Sequence, residues 1–409
     1  MALTGRPEAE PLGPPGPLVD GLRQVAERLA ELTSATGTTV EVDPLALLGE
    51  RAALSGLTRG GSTSCGGGTR LIQAADGVIA VAITRPDDVE LVPAWLELPG
   101  PTGDDVWATI AATARATDVA RLDERGALVG LAVAVFPGVP RSVEAIEAEA
   151  STLASWPVTA HRASRAHVPG GAPSRIETGE LLVVDLSALW AGPLCGQLLA
   201  AAGARVVKVE SSGRPDGARA GSAEFFSLLN ADKQSVALDF DDPGDREILR
   251  WLISSADVVI ESSRPRALEQ LEVRALEVLA HGRPRVWVSI TGYGRQGTAG
   301  NRIAYGDVAA VAGGLVVEDD ECLCFCADAI ADPMTGLVSA VATLEALSTT
   351  DRWLLDVAMV DVAARWAGPQ LPVPVGRGPQ IAPPRARVPS GQAPPLGCDT
   401  ERVLAALTR

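Results

Sequence analysis

The sequence predicts an α/β protein: a doubly wound parallel sheet as the large domain, preceded by a smaller α+β domain. Three observations carry this expectation. From Leu181 onward, short apolar runs alternate with stretches of helical periodicity. Those runs are hydrophobic at nearly every position, the pattern of strands covered on both faces. Between front and back, residues 162–179 are dominated by Arg, Ser, Ala, Pro and Gly and read as a linker. The expected division is residues 1–165, a linker at 166–180, a large domain at 181–370 and a returning tail at 371–409.

In order, residues 1–18 are rich in Pro and Gly and read as loose. Leu22, Val25, Leu29 and Leu32 give an amphipathic helix over Val19–Thr33, and Leu45–Leu57 reads as a second helix. The run Arg59–Gly68 ends in Gly66-Gly67-Gly68 and precedes a strand at Val78–Ile83. Such a run is either a floppy tip or a loop whose amides approach a ligand. Val106–Arg115 and Val143–Leu153 read as helices, with a short strand near Leu131–Val135. The large domain then repeats strand and helix. Strands are expected at Leu181–Leu186, Arg205–Glu210, Ser235–Phe240, Asp257–Glu261 and Arg285–Ile290, with helices at Pro243–Ser254, Ala267–Leu279 and Leu337–Leu347.

The stretch 181–210 is a complete βαβ unit. Pro193 suits a first helical turn, Leu194, Leu198 and Ala201 keep helical spacing, and Gly203 closes the helix. A strand, a tight turn and a helix start make a cradle for an anion, although an unliganded βαβ unit would leave the same pattern. In doubly wound sheets ligands sit at the carboxyl ends of strands. Here those ends are Ser187–Ala191, Glu210-Ser211, Ser262–Arg266 and Thr291–Gly294.

Bulk properties exclude several classes. The chain has 35 basic and 51 acidic residues, a net charge of −16, so general nucleic-acid binding is not expected. Its longest apolar runs fall short of a membrane span, and Met1–Thr4 does not open a signal peptide. The six cysteines show no CxxC spacing, which points to a reduced, cytoplasmic protein. Cys322, Cys324 and Cys326 alternate along an expected strand. They suit a soft metal or, more simply, a face of small buried hydrophobes, and the second reading leaves no metal site.

Residues 181–345 resemble the family III CoA-transferases, the group that includes formyl-CoA and carnitine CoA-transferases and, as relatives, the α-methylacyl-CoA racemases. The stretches that carry the resemblance are VVDLSALWAGPLCGQLLAAAGARVVKVE, LLNADKQSVALDFDDPGDREILRWLISSADVVIESSRP, VWVSITGYGRQG, AYGDVAAVAGGL and ADPMTG, in this order. The resemblance implies a carboxylate that attacks an acyl-CoA thioester and then carries CoA as an aspartyl thioester. The position matching the family's aspartate is Asp332, in Asp332-Pro333-Met334-Thr335-Gly336. An Asp before Pro at a helix start is also a good N-cap residue, so the local pattern alone allows a purely structural role. Asp328 lies outside the motif and ranks below it.

The resemblance also implies the CoA contacts. Leu189, Trp190 and Ala191 would lie beside the thioester and pantetheine, with Leu238, Ser211, Ser262, Ser263 and Arg264 toward the adenine and phosphates. Arg264 is the expected phosphate partner, because a guanidinium reads phosphate bidentately. Trp190 stands where formyl-CoA transferase has Gln, and Ser262-Ser263 replaces a frequent Asn-Phe pair. A two-base racemase would need a His in the segment 304–307, where none is present; the histidines are His161, His167 and His281. Tyr305 and Asp307 remain candidates for another proton transfer. The family's small domain follows the aspartate, whereas here RGGSTSCGGG and AADGVIAVAI, at the front, resemble its glycine loop and next strand. Gly66-Gly67-Gly68 would then shield Asp332, across or within an interlocked homodimer. The expected function is CoA transfer from an acyl-CoA to a carboxylic acid. The alternatives are an acyl-CoA racemase or isomerase, and a CoA-binding scaffold without catalysis.

Overall fold

The computed structural model describes residues 1–35, 37–136, 156–165, 181–369 and 381–407. The helix expected at Val143–Leu153, the linker at 166–180 and His167 lie outside the described residues. The front of the chain holds α1 (Leu18–Ser34), α2 (Pro44–Leu47), α3 (Glu50–Ser55), β1 (Thr69–Gln73), β2 (Val78–Ala82), α4 (Pro86–Leu96), α5 (Val106–Ala114), α6 (Val119–Val129), β3 (Ala132–Phe136) and β4 (Thr159–Arg165). Next come β5 (Leu182–Asp185), α7 (Ala191–Ala201), β6 (Arg205–Ser211), α8 (Ala223–Asn230), β7 (Gln234–Leu238), α9 (Pro243–Ser255) and β8 (Val258–Glu261). The remainder is α10 (Pro265–Gln270), α11 (Ala275–His281), β9 (Val286–Thr291), α12 (Gly306–Ala312), β10 (Val316–Glu318), β11 (Leu323–Phe325), α13 (Ala331–Leu347), β12 (Asp351–Ala358), α14 (Met359–Arg365) and α15 (Thr400–Leu407).

A seven-stranded sheet runs in the order β4-β12-β9-β8-β5-β6-β7. It is parallel throughout except for β4, which pairs antiparallel with β12 at one edge. The doubly wound class therefore stands. Val183, Val258 and Val288 face a core shared with α1, α7 and α13, while Val184, Val259 and Trp287 face one shared with α9 and α11. Burial on both faces is why these strands read as continuous apolar runs. A second sheet, β1-β2-β3, is antiparallel and has its own core with Trp95, Ile110 and Leu122.

The front 165 residues contribute to both bodies. Helix α1 packs on α13 through the main core, and β4 belongs to the large sheet. Strand β4 (TAHRASR) sits at an edge with a polar composition, so its second half, from residue 162, was legible only as linker. The expected helix 45–57 divides at Leu48-Gly49 into α2 and α3, and that expected at Ala267–Leu279 divides into α10 and α11. The opposite edge, β7, is covered by the tail. The Ser235 amide donates to Asp399 Oδ2 at 2.8 Å, and the Ala237 amide to Thr400 Oγ1 at 3.1 Å.

Strand order reverses between β5 and β8, so the crevice between their carboxyl ends is the switch point where such sheets take ligands. The loop after β5 is held from below by buried ion pairs. Lys233 Nζ lies 2.8 Å from Asp185 Oδ2 and donates to the Pro193 carbonyl at 2.8 Å. Lys208 Nζ lies 2.9 Å from Asp216 Oδ2 and donates to the Ser187 carbonyl at 2.8 Å. Burial pushes the Asp185 carboxyl up, but Lys233 and Lys208 more than offset this and hold it below the usual range. Removing one partner of a buried pair strands the other charge. Lys233→Met should therefore lower stability by about 3–5 kcal/mol, read as a fall in the denaturant midpoint; an unchanged midpoint would show that the pair is not needed.

Candidate active site

Asp332 is the second residue of α13, whose first turn begins at Ala331 with Ile330 preceding it. The sequence placed it as the N-cap with Pro333 at the first helical position, and the structure corrects that. The turn from Ala329 closes early, with the Asp332 amide donating to the Ala329 carbonyl at 2.9 Å. Pro333 is still within the first turn, where its missing N–H costs nothing. No side chain caps the helix. The Asp332 carboxylate instead reaches across to α12 and accepts the Gly306 amide on Oδ2 at 3.1 Å. A Cβ at Gly306 would collide with that oxygen and with the Ala329 carbonyl, so the close approach needs glycine.

Around Asp332 lie two more carboxylates and one guanidinium. Arg51, from α3, forms a bidentate pair with buried Asp328, Nε to Oδ2 at 2.8 Å and Nη2 to Oδ1 at 2.5 Å. Burial disfavours the Arg51 charge, but Asp328, with Asp307 and Asp332 beyond it, holds the guanidinium above its ordinary range. Asp307 is buried and accepts the Ala329 amide at 2.9 Å, and the Ser64 hydroxyl donates to it. Burial and the nearby Asp328 charge push Asp307 up to about 6. Asp332 keeps part of its surface open, yet burial pushes it up to about 7; Asp307 and Asp328 add to the rise, while Arg51 and the Gly306 amide oppose it.

The backbone here is strained. Ala327 and Ala329, on either side of Asp328, take left-handed φ values of 56° and 43°. Amide bonds to Thr4 Oγ1 and Asp307 Oδ1 hold both in place. Leu189 is also left-handed, at φ 69°, and its amide donates to Asp216 Oδ1 at 3.0 Å.

The structure brings several of the expected residues together. The Arg51 guanidinium lies over the Trp190 ring, 5.4 Å from its centroid, and a Cβ at Gly66 would touch Arg51 Nη2 at 3.4 Å. Gly336, one turn after Asp332, packs against the Ala191 carbonyl. Trp190 and Gly66 thus lie against Arg51, and Ala191 lies against α13 one turn after Asp332, within one chain. Gly67, at φ 77°, and Gly68 continue the same loop. Leu189 is exposed at the sheet's carboxyl edge, and the Ala188 amide donates to Ser262 Oγ at 3.0 Å across the switch crevice. Ser211 and Leu238 are paired neighbours at the ends of β6 and β7. Ser262 is thus engaged with the backbone, and Ser263 donates to Glu261 at 3.4 Å.

Arg264 precedes α10 and is exposed. The Arg264 carbonyl accepts the Ala267 amide at 2.8 Å, but among the described residues no hydrogen bond or ion pair is formed by the guanidinium of Arg264, Arg266 or Arg214. Burial, then Arg266, Arg85 and Arg214, lowers the Arg264 pKa, the mark of a cationic cluster without a counter-ion. The Trp190 indole N–H is buried without an acceptor. Of the key groups, Arg51, Ser64 and Gly306 escaped sequence reasoning. Arg51 lies in an ordinary helical pattern, and only folding delivers it to a carboxylate 277 positions away. No helix among the described residues is long and apolar enough to cross a membrane.

The fold and the residues at its strand ends define a doubly wound protein with an acidic centre. Residues 179–398 match CoA-transferase family III, and the chain belongs to that family. It is 35% identical over 150 residues to an acyl-CoA transferase of Fusarium pseudograminearum, covering 33% of each chain. It is 31% identical over 203 residues to the succinate–glutarate CoA-transferase of Agrobacterium fabrum, covering 44% of this chain and 50% of that one. Human alpha-methylacyl-CoA racemase is 36% identical over 128 residues, 30% of this chain and 31% of the racemase. The match thus spans half or less of these relatives' lengths. A crystal structure of a CAIB/BAIF family protein from Brucella suis aligns with a TM-score of 0.43 at 32% identity, over 48% of this chain and 55% of that one.

A carboxyl raised in the folded state favours folding while protonated. The contribution of Asp332 is therefore complete below about pH 4 and lost as pH rises through about 7. Asp332→Asn, which stays neutral, should gain stability relative to the parent between pH 4 and pH 8, by on the order of 1–3 kcal/mol after allowing for partial exposure. Urea midpoints at both pH values test this, and parallel pH dependence in the two proteins would refute the raised titration.

Proposed function

We propose that the chain is a CoA-transferase that moves CoA from an acyl-CoA to a carboxylic acid through an aspartyl-CoA thioester at Asp332. The observation that carries this reading is a partly accessible carboxylate in a desolvated setting, next to the strand-end loop of a family member. An Asp332 oxygen attacks the thioester carbonyl, and the C–S bond breaks to release CoA thiolate and leave a mixed anhydride. The thiolate then attacks the aspartyl carbonyl, freeing the acyl group as its carboxylate and forming the aspartyl thioester. Repeating the two steps in reverse with a second carboxylate delivers the new acyl-CoA and restores Asp332.

The chain's own groups supply the rest. The Gly306 amide aims the carboxylate, Arg51 limits the charge in the pocket, and the loop at Gly66-Gly67-Gly68 can approach the reacting atoms without side chains. Leu189, Trp190 and Ala191 would line the pantetheine and thioester. Ser211, Leu238, Ser262 and Ser263 would border the nucleotide end, and Arg264, with Arg266 and Arg214, would take its phosphates. A homodimer and a cytoplasmic setting complete the reading, and of the 1–165, 166–180, 181–370 and 371–409 division the first boundary is revised, because α1 and β4 pack with the large sheet. Against two-base racemisation, the described histidines, His161 and His281, lie on β4 and at the end of α11, and neither is among the groups that shift Asp332.

The nucleophile must be ionised, so kcat/KM for acyl-CoA should rise with pH and level off above about 7. Incubation with acyl-CoA and hydroxylamine should modify Asp332, and Asp332→Asn should lose CoA exchange by at least about 10³-fold. Exchange that survives in the variant would exclude this nucleophile, and α-deuterium wash-in without exchange would favour an isomerase. Arg264→Ala should raise KM for acyl-CoA about 10–100-fold with kcat little changed, as a charge-assisted phosphate contact requires; equal KM values would remove Arg264 from the site.

A further inference from the structure

The ribbon β10–β11 holds a group of side chains that the proposed transfer does not use. The Cys322 and Cys324 sulfurs lie 3.7 Å apart. With a carboxylate oxygen of Asp319 they form a set whose atoms all lie within 4.8 Å of one another. We propose that Asp319, Cys322 and Cys324 bind a thiophilic divalent ion of tetrahedral preference, zinc(II) in the first instance, with water in the fourth position.

Spacing is the first support. Two thiolates on a tetrahedral zinc, each at about 2.3 Å, stand about 3.8 Å apart. The pair is already at that separation, so little rearrangement is needed. The carboxylate is the second. Its Oδ2 accepts Arg6 Nε at 2.7 Å, and its Oδ1 accepts the amides of Glu321 and Cys322 at 2.9 and 2.8 Å. Three of roughly four acceptor directions are filled, which fixes the group and leaves one for a metal, the outer-shell support typical of such ligands. The charge count is the third. Asp319 shares Arg6 with Glu8 and Glu321, so the group is acidic as it stands; a dication offsets the two thiolates formed on binding, and metal entry releases the two thiol protons. Cys322 is half-buried and offers the way in, while Cys324 is buried. Cys326 packs into the main core and stays outside the set.

The site would act as a clasp. The Phe325 amide donates to the Gly61 carbonyl at 2.9 Å, and Arg6 ties the N-terminal segment to Asp319. A metal here would pin both to the ribbon that leads into Asp328.

The full chain, reduced and stripped with a chelator, should take up one equivalent of cobalt(II) with a thiolate-to-cobalt charge-transfer band and tetrahedral visible absorption. Equimolar zinc(II) should displace it. Cys322→Ser, at a half-buried position, should abolish the charge-transfer band, with folding checked by circular dichroism. Asp319→Asn should weaken zinc binding about 10–100-fold. A parent protein without charge transfer at one equivalent, or a Cys322→Ser protein with an unchanged spectrum, would overturn the site and leave a thiol–thiol hydrogen bond as the whole account of the pair.

Discussion

One guanidinium faces three carboxylates at the centre of this molecule. Were all of them ionised, the pocket would carry a net charge of −2 away from bulk water. That cost is met by retaining protons, so Asp307 and Asp332 are pushed up to about 6 and about 7, while Asp328 takes Arg51 for itself. Burial is what raises Asp332, and Arg51 is the main group opposing that rise. It also ties α3 and the glycine loop to the entry of α13, so charge balance and geometry share one side chain.

The buried pairs under the β5 loop serve the same end by another route. Lys208 and Lys233 each contact both a carboxylate and a backbone carbonyl of residues 187–193. This gives the loop bonds that would otherwise be missing, and it supports the left-handed Leu189. Strain at Leu189, Ala327 and Ala329 is tolerable because specific amides are engaged at each one. Preorganised backbone of this kind holds the loop after β5 and the entry to α13 in fixed positions.

Legibility in the sequence followed burial. β5, β8 and β9 were readable because both faces are covered, which removes polar positions from the strand. β4 was not, since an edge strand needs no such pattern. The helices Pro86–Leu96 and Val119–Val129 were missed, the first with Pro93 inside it, because proline argues locally against a helix that tertiary packing around Trp95 supports. Asp332 was visible through a motif. Its capping role, the local rule for Asp-Pro, gave way to the bond with Gly306. Arg51 had no local signal, because its meaning exists only across the tertiary contact with Asp328.

The covered β7 edge has a consequence of its own. Asp399 and Thr400 occupy amide donors that an uncovered outer strand would offer to any neighbouring extended chain. The tail is thus a guard against strand exchange between copies. Damage to it would show first as clumping of still-folded molecules, at concentrations where an intact population remains dispersed.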